Sequence, residues 1–282
     1  MISQKSTLAS EIEVVIKPGK GLAALDLKLL WQFRELLFAF ADRDIRLRYR
    51  QTVLGVIWVV LQPMLTALIF AIVFGFIAKM PDQGIPYFLI TYSGLLGWVL
   101  FNSNLSRISP SLVANGALIS KIFFPRLLIP LGVIPSVLLD FVVSLGVMVG
   151  VLIYYGVLPG IGVFLLPFCA LILVLMSLGI GLVSASLSVK YRDIQHIMPF
   201  FTQILLYASP VGYSITAVPE SIRPYYLLNP LAAPIDAIRW SLLGVGEPNF
   251  SYLGYSFIVS VLCVWIGVTV FRSMERKFAD VI

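Results

Sequence analysis

The chain has 282 residues, of which 59% are hydrophobic and 12% charged, with a mean hydropathy of +0.97. Soluble domains carry about 25% charged residues, so there is too little polar surface here to cover a soluble globule, and the chain reads as an all-α polytopic membrane protein. The net charge of +6 does not point to nucleic acid, because the positive charges lie in loops, where membrane sidedness puts them.

Residues 1–25 read as a polar cytoplasmic tail. Glu11, Glu13, Lys17 and Lys20 interrupt it, so no cleavable signal pattern forms and the first span is expected to be kept. Residues 26–52 follow as an amphipathic helix ending in a basic stretch. Asp26 suits an N-cap. Leu29, Leu30, Phe33, Leu36, Leu37 and Phe40 fall on one helix face, opposite Lys28, Gln32, Glu35 and Asp42. The segment is too polar to span, and its pattern fits a helix lying in the headgroup layer; a soluble helix on a core is the competing reading. It ends in Arg43, Arg46, Arg48 and Arg50, beyond which no charge occurs from Val53 to Ala78.

Residues 53–282 read as one transmembrane domain. A spanning helix needs about 20 apolar residues, and six segments qualify: 53–78, 87–106, 127–158, 164–189, 197–215 and 253–271. Pro63 is expected to kink the first. Pro130 and Pro135 place an interfacial turn at the start of the third. Ser177, Gly181, Ala185 and Ser188 share a face of the fourth and read as a helix-packing stripe. Seventeen of the twenty Lys and Arg residues fall in 1–52, 107–126, 190–196 and 272–282; the alternate loops hold Lys79, Arg223 and Arg239. That asymmetry places both termini in the cytoplasm.

Residues 216–252 are rich in proline yet too apolar for a hydrated loop. Asn229-Pro230 reads as an N-cap with proline in the first turn, opening a helix to about Leu243 that is too short to cross. Short re-entrant outer helices before the last span are expected, with a surface lid as the alternative. The inner loop 107–126 has Arg107, Lys121 and Arg126, no acid, and Phe123 and Phe124 before Pro125. It fits a docking knob for a soluble subunit or a headgroup-anchoring helix.

Catalytic and metal motifs are missing. His196 is the single histidine, Cys169 and Cys263 sit in apolar runs, and Asp140 is the one charge expected inside the membrane. Asp140 reads as an interhelical hydrogen bond or a cavity residue, with proton relay as the alternative. Gly19-Lys20-Gly21 lacks the rest of a phosphate-binding loop, so any energy for uphill movement must come from another chain.

The motifs, taken in order, resemble the permease subunits of ABC exporters of the type-2 permease family, in the branch that exports bacterial surface polysaccharides such as O-antigen and capsule. The resemblance rests on Arg43-Asp44 through Arg48-Tyr49-Arg50, Leu54-Gly55, Trp58 and Pro63. It continues with Phe124-Pro125-Arg126, Tyr191-Arg192-Asp193, Pro199-Phe200, Ser209-Pro210, Leu228-Asn229-Pro230 and Arg239-Trp240. It implies an inner-membrane channel made with a second copy, two cytoplasmic ATPase subunits that bind ATP and Mg, and no cofactor or enzyme activity in this chain. It further implies ATPase coupling through Arg107, Lys121, Phe123, Phe124, Pro125 and Arg126, and an outer gate at 216–252 with Asn229, Pro230, Arg239 and Trp240. The cargo implied is a lipid-linked polysaccharide. Arg46, Arg48 and Arg50 are candidates for its pyrophosphate headgroup, and Tyr87, Tyr92, Trp98 and Phe101 for aromatic pore contacts. Related cargoes (teichoic acid, lipid, drug) and an ATP-independent flippase or secondary carrier are the alternatives.

Overall fold

The computed structural model describes residues 27–50, 55–81, 84–122 and 124–281, and among them every regular element is helical. The 1–25 tail and Asp26 lie outside the described residues. A short helix α1 (Leu27–Gln32) leads into α2 (Arg34–Arg50), and α3 (Gly55–Phe70) continues as a widened π-helical segment to Ile77. Then come α4 (Tyr87–Ile108), two single turns α5 (Ser111–Ala114) and α6 (Gly116–Ile119), and α7 (Leu128–Tyr155). A 3-10 turn at Ile161–Leu165 opens α8 (Leu166–Lys190), followed by α9 (Ile194–Tyr207). The last elements are α10 (Arg223–Tyr226), α11 (Ala232–Leu243) and α12 (Phe250–Val281).

Four helices among the described residues are long and apolar enough to cross a membrane: Ile57–Ile77, Leu128–Tyr155, Ile161–Lys190 and Phe250–Glu275. The expected 87–106 span is the 22-residue α4, which carries too many polar groups to join that set. Its packing explains the tolerance: α4 lies against α3, α7, α8 and α11, so most of its side chains never meet lipid. The expected 197–215 span holds only the 14-residue α9, about 21 Å at 1.5 Å per residue, and turns carry the chain onward from Ala208. The interfacial turn expected at the start of the third span is absent. α7 begins at Leu128 and runs through Pro135, with Pro130 in its first turn, where a missing N–H leaves no intrahelical bond unmade.

The apolar face of α2 is where its pattern puts it. Leu30, Phe33, Leu36 and Leu37 pack partly buried against the core, and Phe40 is buried. That face rests mainly on α7. A Cβ on Gly132 of α7 would lie 2.8 Å from Cβ of Phe40, so glycine there lets the two helices touch. Phe38 and Leu47, on the same helix, stay exposed.

α8 is the central post, packed on α4, α11 and, along most of its length, α12. The α8–α12 crossing is a backbone-to-backbone approach. A Cβ on Gly179 would sit 2.4 Å from the carbonyl carbon of Cys263, and one on Gly267 would sit 2.5 Å from the oxygen of Gly179. On the opposite side Gly181 faces Ile108 of α4, and Ser177, Ala185 and Ser188 are fully buried, so the small-residue stripe serves close packing. Gly179→Leu should therefore lower stability by at least about 1–3 kcal/mol, the usual cost of overpacking. Gly146→Leu, at a position with open space around its Cβ, should change it little; thermal unfolding in detergent compares the two.

Candidate functional site: a charge-locked joint and a fastened outer segment

The basic stretch folds into an ion-pair network. Asp140, on α7 and only 6% exposed in its side chain, receives Arg48 of α2 at 2.5 Å and Arg107 of α4 at 3.7 Å. Arg107 also pairs with Asp44 of α2, and Ser136 of α7 hydrogen-bonds the same Asp44 carboxylate. Two arginines and two aspartates from three helices thus neutralise one another. The loop after α4 is tied in as well: Arg43 donates to Oδ1 of Asn115 at 2.8 Å, and the ring of Phe124 meets that of Phe40 at 5.6 Å between centroids.

These contacts revise several expectations. Asp140 is neither isolated nor a relay candidate, because two guanidinium groups neutralise it. Arg46 and Arg48 are not open cations: Arg46 pairs with Asp42 at 2.8 Å and Arg48 is committed to Asp140, while the side chain of Arg50 lies outside the described residues. A pyrophosphate would have to compete with those carboxylates. Phe124 is buried rather than presented as a knob, and Arg126 donates to the carbonyl of Glu275 on α12, close beside Pro125. Lys121 and Ile122 remain exposed at the loop tip, while Phe123 lies outside the described residues.

Three of the four aromatic pore candidates are core residues of the protomer. Tyr92 and Phe101 are fully buried, Trp98 is 6% exposed, and the Tyr92 hydroxyl donates to Ser144 O at 3.1 Å. Tyr87 is half-buried. Its ring covers Gly75 of the π-helical segment, and its hydroxyl donates to Gly212 O at 3.0 Å. The aromatic rings that do reach the surface on α3 and α9 are Trp58, Phe76, Phe200 and Tyr207.

At the other end of the bundle, Arg239 of α11 fastens the 216–252 segment. It is 0% exposed and pairs with Asp236 at 2.7 Å. It also donates to the carbonyls of Ile90 at 3.2 Å, Pro210 at 2.6 Å and Val211 at 3.2 Å. The last two acceptors lie where α9 has ended and the chain turns, so the guanidinium satisfies carbonyls that no helix takes up. Gly94 of α4 makes the space: a Cβ there would lie 2.6 Å from Nη2 of Arg239. Asn229 is not the N-cap expected. The helix starts two residues later, and Asn229 instead accepts from Leu231 N at 3.0 Å and donates to Ala208 O at 2.8 Å, with Pro230 in the turn. Trp240 lies over Gly162, 2.6 Å from where a Cβ would be. The Tyr213 and Tyr226 hydroxyls meet at 3.0 Å. Burial, then that hydrogen bond, pushes the Tyr226 phenol above its usual range, so it stays neutral.

A family model described as "ABC-2 type transporter" matches residues 35–243, from the start of α2 to the end of α11. The chain belongs to the ABC-2 type transporter family. Among its relatives, the O-antigen export system permease protein RfbA of Klebsiella pneumoniae is 28% identical over 249 residues, covering 88% of this chain and 95% of the relative. RfbA of Myxococcus xanthus is 29% identical over 253 residues, covering 89% and 96%. The polysialic acid transport protein KpsM of Escherichia coli is 26% identical over 242 residues, covering 83% and 91%. Membership in the ABC-2 family implies a membrane setting and a separate ABC ATPase as partner. The joint between α2, α4 and α7 lies inside the matched region, as does the outer fastener.

The two kinds of ion pair in this ABC-2 chain should behave differently. Asp140→Ala removes the buried carboxylate that Arg48 and Arg107 share, leaving Asp44 as the carboxylate paired with Arg107, and should cost about 3 kcal/mol. Asp42→Ala breaks an exposed pair, with side chains 65% and 57% exposed, and should cost less than about 1 kcal/mol. Thermal unfolding of the two purified variants beside the parent separates the cases.

Proposed function

We propose that the chain is the channel-forming membrane subunit of an ATP-driven exporter that carries a lipid-linked surface polysaccharide, of O-antigen or capsule type, across the bacterial inner membrane. The observation that carries this reading is the joint. One neutralised network ties the amphipathic helix and the loop after α4 to two helices of the bundle, on the side where the basic residues cluster. A push on that surface would move α4 and α7 directly. The relatives named for O-antigen export and polysialic acid transport supply the cargo class.

In this reading the chain makes six crossings with both termini in the cytoplasm, α4 supplying one and α9 together with the turns that carry the chain on from Ala208 supplying another. Two copies pair with two ATPase subunits, which bind ATP and Mg and do the hydrolysis; this chain is not itself an enzyme. α3 and α9 are the least covered of the long elements, with Ile69, Phe76, Phe200 and Tyr207 among their exposed apolar residues, and these faces supply the contact with the second copy. Coupling runs through the exposed tip at Lys121 and Ile122, while Arg107, Phe124 and Arg126 hold the loop that carries it. The 216–252 segment, anchored by Asn229 and Arg239, serves as the outer gate.

The test is co-purification of the ATPase with this chain, together with detection of surface glycan in cells that carry both. Lys121→Glu combined with Ile122→Asp should reduce ATPase recovery at least about tenfold, the loss expected when a small set of interface residues is reversed, and abolish export while membrane abundance stays unchanged. Full ATPase recovery and export by that variant would remove the loop tip from the interface. Phe124→Ala acts differently: its cost is core stability, about 3–5 kcal/mol.

A further inference from the structure

A cavity of about 410 Å3 opens between the last turns of α4 and the first half of α9. Its size falls in the range of small-ligand clefts, and its polar lining comes from Asn102, Ser106, Ser109, Gln195 and Thr202. None of the lining residues is charged. Arg107, on the same stretch of α4, faces away into the ion-pair joint with Asp44 and Asp140.

The polar groups are left available. The side-chain amides of Asn102 and Gln195 make no hydrogen bond among the described residues. The Ser109 hydroxyl is buried, its residue 2% exposed, and has no partner. Thr202 donates to Pro199 O at 3.0 Å and Ser106 to Ser103 O at 3.3 Å, so both hydroxyls face a ligand as acceptors. Pro199, inside α9, has no N–H for the carbonyl of Gln195 four residues back. A buried hydroxyl without a partner costs free energy; Ser109 is such a group, and the half-buried amides of Asn102 and Gln195 open onto the same space. Leu105 and Met198 add apolar surface between them.

We propose that this cavity is a subsite for an uncharged stretch of the glycan chain, on the side where cargo enters; this rests on the exporter reading above. A sugar ring carries hydroxyls that both donate and accept around its edge and C–H groups on its faces, matching amides and hydroxyls set beside Leu105 and Met198. A pyrophosphate or an acidic sugar would meet no cation in the lining, and an acyl chain would leave both amides unpaired. The subsite therefore holds sugar rather than the charged lipid head, and prefers neutral sugars to sialic acid.

The full chain in nanodiscs should bind a fluorescent maltoheptaose probe, with oligosialic acid of equal length at least about tenfold weaker. Asn102→Ala and Gln195→Ala should each weaken maltoheptaose binding about fivefold, the effect of one lost hydrogen bond. Ser106→Trp, at an exposed position on the rim, should block binding and glycan export without altering membrane abundance or ATPase co-purification. Equal binding of the acidic oligosaccharide, or binding indifferent to all three substitutions, overturns the subsite. So does normal export by Ser106→Trp while the parent chain exports. If the parent itself delivers no glycan to the surface, the exporter reading fails instead, and the nanodisc measurements still decide whether the cavity takes sugar.

Discussion

The position of Asp140 governs one end of this molecule. A carboxylate held on α7 with 6% side-chain exposure is intolerable in a membrane-facing bundle unless cations reach it. Two do, from two other helices, and one of them brings a second carboxylate that an α7 hydroxyl also binds. The result is a closed circuit through α2, α4 and α7. Such networks are weak evidence for stability, since well-packed apolar residues often do as well. Their distinctive property is geometric: each member is satisfied in one arrangement, so α2 cannot slide along α7 without leaving charges unpaired. For a helix whose other edge, at Phe38 and Leu47, stays exposed, that constraint fixes a peripheral element to the bundle.

The other end uses the same physics for the opposite purpose. There a single buried guanidinium gathers Asp236 and three backbone carbonyls. The short outer helix α11 is thereby tied to α4 and to the turn that ends α9. Backbone that fails to span can sit at membrane depth only when protein or water satisfies it, and Arg239 does so for Pro210 and Val211. α4 takes part in both fasteners, at Arg107 on one end and beside Gly94 on the other. It is also largely enclosed by its neighbours, which frees its sequence from the apolar requirement that lipid contact imposes.

Much of this architecture was legible in the residues. The apolar stretches, the amphipathic face of α2, the small-residue stripe on α8 and a short outer helix all follow from pattern, and the order of motifs pointed to the right family. The failures share a cause. Reading a charge or an aromatic by position in the chain says nothing about its partner. Arg48 and Asp140 are 92 residues apart, and nothing local reveals that one cancels the other. Tyr92, Trp98 and Phe101 looked like surface aromatics because their helix looked like a simple span, yet enclosure by four neighbours places them in the core. Asn229 carried a capping signature, and its Oδ1 does accept from Leu231 N, yet the regular helix begins only at Ala232 and the amide nitrogen reaches across the turn to Ala208 O, a partner that no local pattern reveals.

The separation of charge from the polar cavity has a mechanistic consequence. Arg107, the basic residue at the end of α4, is held by carboxylates, while the adjoining face toward α9 presents neutral amides and hydroxyls among apolar side chains. A path lined by cations would hold an anionic headgroup and resist its departure, since charge-assisted bonds are the strong ones. Neutral hydrogen-bonding groups contribute about 1 kcal/mol each net of water, enough to guide a hydroxyl-rich chain and too little to arrest it. A polymer that must pass sugar after sugar needs contacts of that modest and repeatable kind. The ion-pair joint sits beside this face and shares α4 with it, so a displacement of α2 that strains the joint would also move Asn102 and Ser106 against α9. Coupling and grip on the cargo would then be two faces of one helix.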